Sequence, residues 1–326
     1  MTNRHNLNFG LIACSNVAQQ RFIPAIKKIS NADLTFVGAS NNINKAKMFS
    51  IKNDIKKYGT YRDVLTDLNI DAVYISSPVT LHKKLTVNSL QQNKHVLCEK
   101  PAAMSKSDAL EIISECNKND LAFLEGFMFQ FHTQHITVRD IIKAGEIGRV
   151  LSIKAQFTYP HPAQHNIRLD PTLGGGVFFD SIGYPTLAVL MIEDSDPVSI
   201  QATQQVDKTL LIDTEVSATI KFESGVTAEI LAGFSDNYIS EYVIKGSEGY
   251  IRVCRAYSVT PDHDPEIIVN GKIRKLPTDD QFKSMITHFI DSIKCKKKRH
   301  INNTKFIKLH TVLDNMLKSI NNNKNS

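Results

Sequence analysis

Five short, nearly all-apolar runs fill the first 125 or so residues, and each is followed by a helix-length segment. The runs are Asn8–Ala13, Leu34–Ala39, Asp71–Ile75, His95–Cys98 and Leu121–Leu124. Between them Ala18–Ile29, Lys45–Ser50, Tyr61–Leu68, His82–Gln92 and Lys106–Lys118 read as helices. Strands that alternate with helices need crossover connections, and crossovers build a parallel sheet. A strand covered on both faces loses the polar alternation and becomes a continuous apolar run, as these do. The expectation for residues 1–125 is a doubly wound Rossmann-type α/β domain, whose ligand crevice lies at the carboxyl ends of the strands.

The texture changes near residue 126. Phe131–Ala144 reads as a helix and Val150–Phe157 as an alternating strand. Further strand patterns, Ser199–Gln205, Glu215–Phe222, Thr227–Phe234, Glu241–Lys245 and Tyr250–Val253, are separated by turn signals such as Glu223-Ser224-Gly225. Residues 126–326 are therefore expected to form an α+β domain on a mostly antiparallel open sheet. Two closing helices, Gln281–Ile293 and Asn303–Ile320, should pack across both domains, and Asn321–Ser326 should be a frayed tail. The 326 residues fit about two domains at roughly 150 residues each. With 42% hydrophobic and 22% charged residues, the chain can bury ordinary cores.

Composition also narrows the setting. No apolar run approaches the ~20 residues of a membrane span, and Met1–Asn6 leads into a strand rather than a signal-peptide core. Five cysteines without a CxxC read as reduced thiols of a cytoplasmic protein. The net charge of +6 is concentrated in Lys294–Arg299. That run lacks interleaved aromatics or a surrounding nucleic-acid module, so it is read as a solvated loop, with neither nucleic acid nor membrane as partner.

Two stretches carry the chemistry. Cys98-Glu99-Lys100-Pro101 places a lysine where a buried strand ends and the chain turns. A glycine run, Gly174-Gly175-Gly176, precedes Asp180 and Tyr184; a helix starting near Asp180 would put carboxylate and phenol on one face. Lysine, tyrosine and aspartate together move a proton to or from a carbonyl or carbinol oxygen. After the first strand, Ala13-Cys14-Ser15-Asn16-Val17-Ala18 stands where a nucleotide fingerprint has Gly-x-Gly-x-x-Gly/Ala. A phosphate is still expected on the following helix N-terminus, with Ala13, Ser15, Asn16 and Val17 as cofactor contacts. The second strand ends in Ser40-Asn41 without the acid that grips an NAD ribose, and Lys45 follows within a turn or so. These three residues favour NADP(H) over NAD(H), with NAD(H) still possible.

The motifs together resemble the Gfo/Idh/MocA family of sugar oxidoreductases over nearly the whole chain. The family's Gly-Lys-His-Val-x-x-Glu-Lys-Pro signature is present as Asn93 to Pro101, and Ser76 to His82 resembles the loop that runs along the cofactor. Glu125 to His132 matches the stretch at the domain junction. Asn166-Ile167-Arg168-Leu169-Asp170, followed by the glycine run and Asp180 to Pro185, resembles a narrower branch. That branch holds glucose–fructose oxidoreductase, xylose and dihydrodiol dehydrogenases and nucleotide-sugar 3-ketoreductases. Ala13, Ser15, Gln130 and Asn93 depart from the usual pattern.

The resemblance implies further cofactor contacts from Ser77, Pro78, His82, Glu99, Lys100 and Pro101. It implies Tyr184 as proton donor or acceptor, with Lys100 lowering the pKa of its phenol and Asp180 holding and balancing that pair. Substrate contacts are expected from Lys100, Asn166, Arg168, Asp180 and Tyr184, with no metal. A keto-reductase of nucleotide-linked deoxysugars is the leading reading, ahead of a free-sugar dehydrogenase or a non-catalytic dinucleotide sensor. A homodimer or homotetramer is also implied.

Overall fold

The computed structural model describes residues 6–324; Met1–His5 and the last two residues of the expected tail lie outside that range. Contacts divide the chain into two units, one holding the residues up to Phe127 together with Phe282–Ile307, the other Met128–Gln281 and Lys308 onward. The break thus falls two residues beyond the expected boundary. Of the closing helices, α9 (Gln281–Lys294) belongs to the first unit from Phe282 onward, and only α10 (Lys296–Lys324) is divided between the units.

In the first unit a six-stranded parallel sheet runs in the order β3-β2-β1-β4-β5-β6. Its strands are β1 (Leu7–Ile12), β2 (Ala32–Ala39), β3 (Lys57–Thr60), β4 (Ala72–Ile75), β5 (His95–Cys98) and β6 (Phe123–Glu125). The crossovers carry α1 (Ile23–Ile26, entered through a π-helical turn at Ala18–Phe22), α2 (Ile43–Asn53), α3 (Tyr61–Thr66), α4 (His82–Gln91) and α5 (Lys106–Lys118). Strand β3 was not expected from sequence: its first two residues are exposed and Gly59 interrupts it, so it carries no apolar run. An aromatic cluster fills part of a mainly aliphatic core. Phe22 stacks on Tyr74 at 3.9 Å, and Phe9 meets both Phe22 and Phe289 of α9 at 6.0 Å. The basic run is a correction to the expected loop, because only Cys295 separates α9 from α10. Three of its five cations are paired: Lys298 with Asp291 at 2.8 Å, and Lys296 and Arg299 with Asp120 at 3.1 and 2.9 Å. Helix α10 also continues through Asn321 to Lys324, where fraying was expected.

The second unit has an eight-stranded sheet, β14-β13-β12-β11-β7-β10-β9-β8. The strands are β7 (Val150–Tyr159), β8 (Pro197–Asp207), β9 (Ile212–Phe222), β10 (Thr227–Phe234), β11 (Ile239–Gly246), β12 (Tyr250–Cys254), β13 (Glu266–Val269) and β14 (Lys272–Lys275). Pairing is antiparallel except between β7 and β10. Along β9 every second residue from Val216 to Phe222 is buried, so one face of the sheet is packed under helices. Those helices are α6 (Thr133–Lys143), α7 (Val177–Asp180) and α8 (Gly183–Leu190). Pro171–Leu190 is apolar enough by composition to cross a membrane, but 72% of its most apolar window is buried inside the fold. It serves as core.

Helix α6 buries His135 completely. Its Nδ1 lies 2.8 Å from the Tyr242 hydroxyl and its Nε2 2.9 Å from the Ala256 carbonyl. Burial lowers its pKa from 6.5 to about 3. An unfolded chain takes up a proton here below pH 6.5, whereas the folded chain waits until about pH 3. The neutral ring therefore stabilises the fold fully above pH 6.5, and that contribution drains away as the pH falls toward 3. We expect unfolding free energy from urea titrations to fall between pH 6.5 and 4. In His135→Gln the slope should be shallower by up to about 1.4 kcal/mol per pH unit, one proton's worth. An unchanged slope would show that His135 is already protonated in the folded state.

Candidate active site

Strand order reverses between β1 and β4, so a crevice opens at the carboxyl ends of those strands, where such folds hold dinucleotides. Apart from Lys45 in the first turn of α2 and His82 at the start of α4, the residues expected from sequence to touch a cofactor lie at the carboxyl end of β1, β2, β4 or β5, or on the turn just beyond. The turn after β1 puts Ala13 in the left-handed region at φ 83°, the conformation for which the missing glycine is suited. Ser15 is engaged in the fold: its Oγ accepts from the Ala18 N–H at 3.1 Å and donates to Ser76 Oγ at 2.7 Å. It ties the turn after β1 to the end of β4, and Asn16 is the exposed residue of the turn. Burial pushes the neighbouring Cys14 thiol up, and the charge of Lys45 opposes that shift. Lys45 on α2 thus lies within electrostatic reach of the turn, alongside exposed Ser40 and Asn41. Asn42 caps α2 by accepting from the Lys45 N–H at 2.9 Å.

The ends of β4 and β5 are joined by buried polar groups. His82 is 2% exposed, with Nε2 2.7 Å from the Ser77 carbonyl and Nδ1 2.8 Å from the Pro101 carbonyl. It is a clip between two loops. Burial lowers its pKa. Glu99, also expected at the cofactor, accepts from the Tyr74 hydroxyl at 2.5 Å; burial raises its pKa against that bond and the charge of Lys100. Glu125 accepts from the Ala102 N–H at 2.7 Å, pinning the segment after Lys100-Pro101. Tyr74 and Glu125 were not singled out from sequence. Tyr74 lies inside an apolar strand with nothing to mark it, and Glu125 stood in a quoted motif without a role. Cys98 is fully buried with its thiol pushed well up, the state of a core residue.

The second unit holds the remaining residues. The expected single helix from Asp180 through Tyr184 is two helices: α7 ends at Asp180, Ser181 leaves helical geometry at φ −131°, and α8 starts at Gly183. Asp180 does not stand at a helix start. Its Oδ2 accepts from the Tyr159 hydroxyl and, at 2.8 Å, from Arg168 Nε. The carboxylate forms an ion pair with Arg168. Tyr159, missed from sequence, has its phenol pushed up by burial first and then by Asp180. Asp180 likewise raises Arg168, with a smaller contribution from Tyr184. Asn166, expected on substrate, accepts from the Arg168 N–H at 3.0 Å and so shapes the turn. The glycine run packs against that turn. A Cβ on Gly175 would lie 2.7 Å from the Arg168 carbonyl oxygen, and Gly176, at φ 100°, would collide with Asp213 at 2.3 Å. Tyr184 is 7% exposed, its ring 5.7 Å from Phe129, 5.2 Å from Phe157 and 6.0 Å from Tyr257, with its hydroxyl 3.9 Å from Met128 Sδ.

The first unit fits a dinucleotide by its strand order, its positive-φ turn and the polar termini of β2 and β4. Among the described residues no group of three or more His, Cys, Asp or Glu side chains is placed to hold a metal ion. Known proteins agree with this division. Residues 7–127 match the oxidoreductase family, NAD-binding Rossmann fold, and residues 135–252 match the GFO/IDH/MocA C-terminal domain. The chain is 29% identical to a dTDP-3,4-didehydro-2,6-dideoxy-alpha-D-glucose 3-reductase of Streptomyces antibioticus, over 88% of this chain and 89% of that protein. It is 26% identical to a D-xylose 1-dehydrogenase (NADP(+)) of Haloferax volcanii, over 79% of each. A crystal structure of a 3-ketoreductase from Actinomadura kijaniata, in complex with NADP and TDP-benzene, superposes with a TM-score of 0.91 at 25% identity. It covers 97% of this chain and 98% of that one.

Ala13 is the testable oddity of the turn. A residue with a Cβ at φ 83° carries strain on the order of 1 kcal/mol that glycine would not. Ala13→Gly should raise the unfolding free energy by about 0.5–1 kcal/mol in urea titrations, where glycine for alanine normally destabilises. A loss of stability would mean that Ala13 is relaxed.

Proposed function

We propose that this chain, a member of the Gfo/Idh/MocA oxidoreductases, is an NADP(H)-dependent keto-reductase acting on a nucleotide-linked deoxysugar. The observation that carries the reading is Tyr184, a phenol held almost out of water on α8 among Phe129, Phe157 and Tyr257. Bound NADPH supplies hydride from C4 of its nicotinamide. As the carbonyl carbon of the sugar takes that hydride, Tyr184 gives its proton to the carbonyl oxygen. The ammonium of Lys100 stabilises the phenolate left behind, and solvent returns the proton. Asn16 and Val17 would face the pyrophosphate through backbone N–H groups, with Ala13, whose own N–H is donated to the Gly38 carbonyl at 3.1 Å, shaping the turn beside them, and Ser77, Pro78 and Lys100-Pro101 the nicotinamide ribose. Ser40, Asn41 and Lys45 would receive the 2′-phosphate. The nucleotide-linked substrate is supported by the 3-reductase relatives, which span this chain almost end to end at 29% identity. A free-sugar dehydrogenase, the activity in the name of the xylose relative, is the second reading.

The activity test is oxidation of NADPH by a dTDP-linked 3-keto-deoxysugar, set against reduction of NADP+ with D-xylose. Turnover of D-xylose alone would favour the second reading. Tyr184→Phe and Lys100→Ala should each cut turnover by roughly 10² or more, with NADPH affinity preserved in Tyr184→Phe. The double variant should lose much less than the product of the two effects, because the groups act as one unit. More than half of parental activity in Tyr184→Phe would assign the proton to another group, Lys100 first.

Cofactor choice is tested separately. Because β2 ends without an acid and is flanked by Ser40, Asn41 and Lys45, fluorescence titration should show NADPH binding more tightly than NADH. NADH binding tenfold tighter, about 1.4 kcal/mol, would reverse the assignment.

A further inference from the structure

Arg168 is held at more points than an exposed arginine ordinarily is. Its backbone N–H donates to Asn166 Oδ1 at 3.0 Å, its carbonyl accepts from the Gly176 N–H at 2.9 Å, and its Nε donates to Asp180 at 2.8 Å. Asp180 is in turn gripped by the Tyr159 hydroxyl, from a residue at the end of β7 that packs against Phe157 at 5.3 Å and Phe234 at 5.5 Å. Glycine at 175 lets that backbone come so close. Yet 43% of the arginine side chain stays exposed. A solvent-facing ion pair stabilises a fold by ~0–1 kcal/mol, too little to account for a half-buried tyrosine and a shaped glycine turn behind it. A guanidinium has five N–H donors in a rigid fork, and Asp180 takes the one on Nε. The two terminal nitrogens remain, paired and planar, and that geometry matches a phosphate.

From this arrangement we infer that Arg168 is a pre-organised receptor for a phosphate of the substrate's diphosphate carrier, and that Tyr159 is the positioning residue that sets it through Asp180. The inference rests on the nucleotide-linked reading and adds to it the residues that would recognise the carrier. The ion pair with Asp180 fixes the fork in one orientation before substrate arrives, which lowers the ordering cost of binding. Tyr159 stays protonated beside the carboxylate, so it remains a hydrogen-bond donor throughout the neutral range.

The test is calorimetric titration of the NADP+-saturated protein with dTDP, with thymidine as the ligand lacking phosphate. The parent should bind dTDP and bind thymidine at least tenfold more weakly. Arg168→Gln should weaken dTDP binding at least tenfold, and Tyr159→Phe at least threefold, with NADP+ affinity unchanged in both. In turnover, Tyr159→Phe should raise KM for a dTDP-linked substrate by a larger factor than it lowers kcat, a split that a general loosening of the fold would not give. Should Arg168→Gln fail to fold, Arg168→Lys serves, since an ammonium keeps the charge without the fork; its dTDP affinity should fall at least fivefold. If the parent binds dTDP but these substitutions leave its affinity unchanged, the inference is overturned while the nucleotide-linked reading stands. If the parent does not bind dTDP, both fall together.

Discussion

Everything in the first unit follows from the pairing of β1 with β4, two strands distant in sequence that lie side by side in register from Phe9↔Ala72 to Ile12↔Ile75. The crossover from β1 to β2 runs to one side of that pair, and the strands after β4 continue to the other. Peptide N–H and C=O groups at the paired strand ends are satisfied within the sheet, but the turns beyond them face opposite ways. The gap between those turns is the crevice. Ser15 and Ser76 sit on its two sides and hydrogen-bond across it, so side chains as well as backbone hold its base together.

The same crevice shows how much buried polarity a site of this kind needs. His82 and Glu125 are removed from water and Glu99 partly so, and a buried polar group without a partner costs roughly 1–3 kcal/mol. Each has one: two carbonyls for His82, the Tyr74 hydroxyl for Glu99, the Ala102 N–H for Glu125. All three converge on the segment from Glu99 to Ala102. Lys100 is therefore carried on a backbone fixed on both sides, which a lysine must have if its flexible stem is to bring the ammonium to one place.

Much of this was legible in the sequence because it depends on local pattern. The all-apolar runs became β1, β2, β4, β5 and β6, and the alternation along 215–222 became β9 with one buried face. Asn93, which stands where the family's signature has glycine, has φ 57°, a left-handed conformation that asparagine tolerates. What was not legible depends on partners far along the chain. Edge strand β3 gains its place only by pairing with β2, and β13 and β14 are short strands that complete the rim of the second sheet. The pairing of Tyr159 with Asp180 joins residues on a strand and a helix, and no spacing rule connects them. The break between α7 and α8 was hidden for a related reason. Spacing four residues apart assumes an unbroken helix, whereas Ser181 turns out of it.

The altered nucleotide fingerprint shows why a motif is better read by what each position does than by its letters. The first glycine of the pattern supplies a positive φ, and Ala13 supplies it too, at the cost of strain. The second glycine lets a pyrophosphate approach the backbone; Ser15 keeps its side chain out of the way by turning it to Ser76 and the Ala18 N–H. The third position admits the small Ala18, fully buried where helix and strand must pack closely. Each requirement is met by a different local device, and the turn keeps its shape with two of its glycines gone. The same logic separates the second glycine run from a phosphate loop. Gly175 and Gly176 are needed because the Arg168 turn and Asp213 crowd them, so their smallness serves the arginine's placement and not a backbone cradle for an anion.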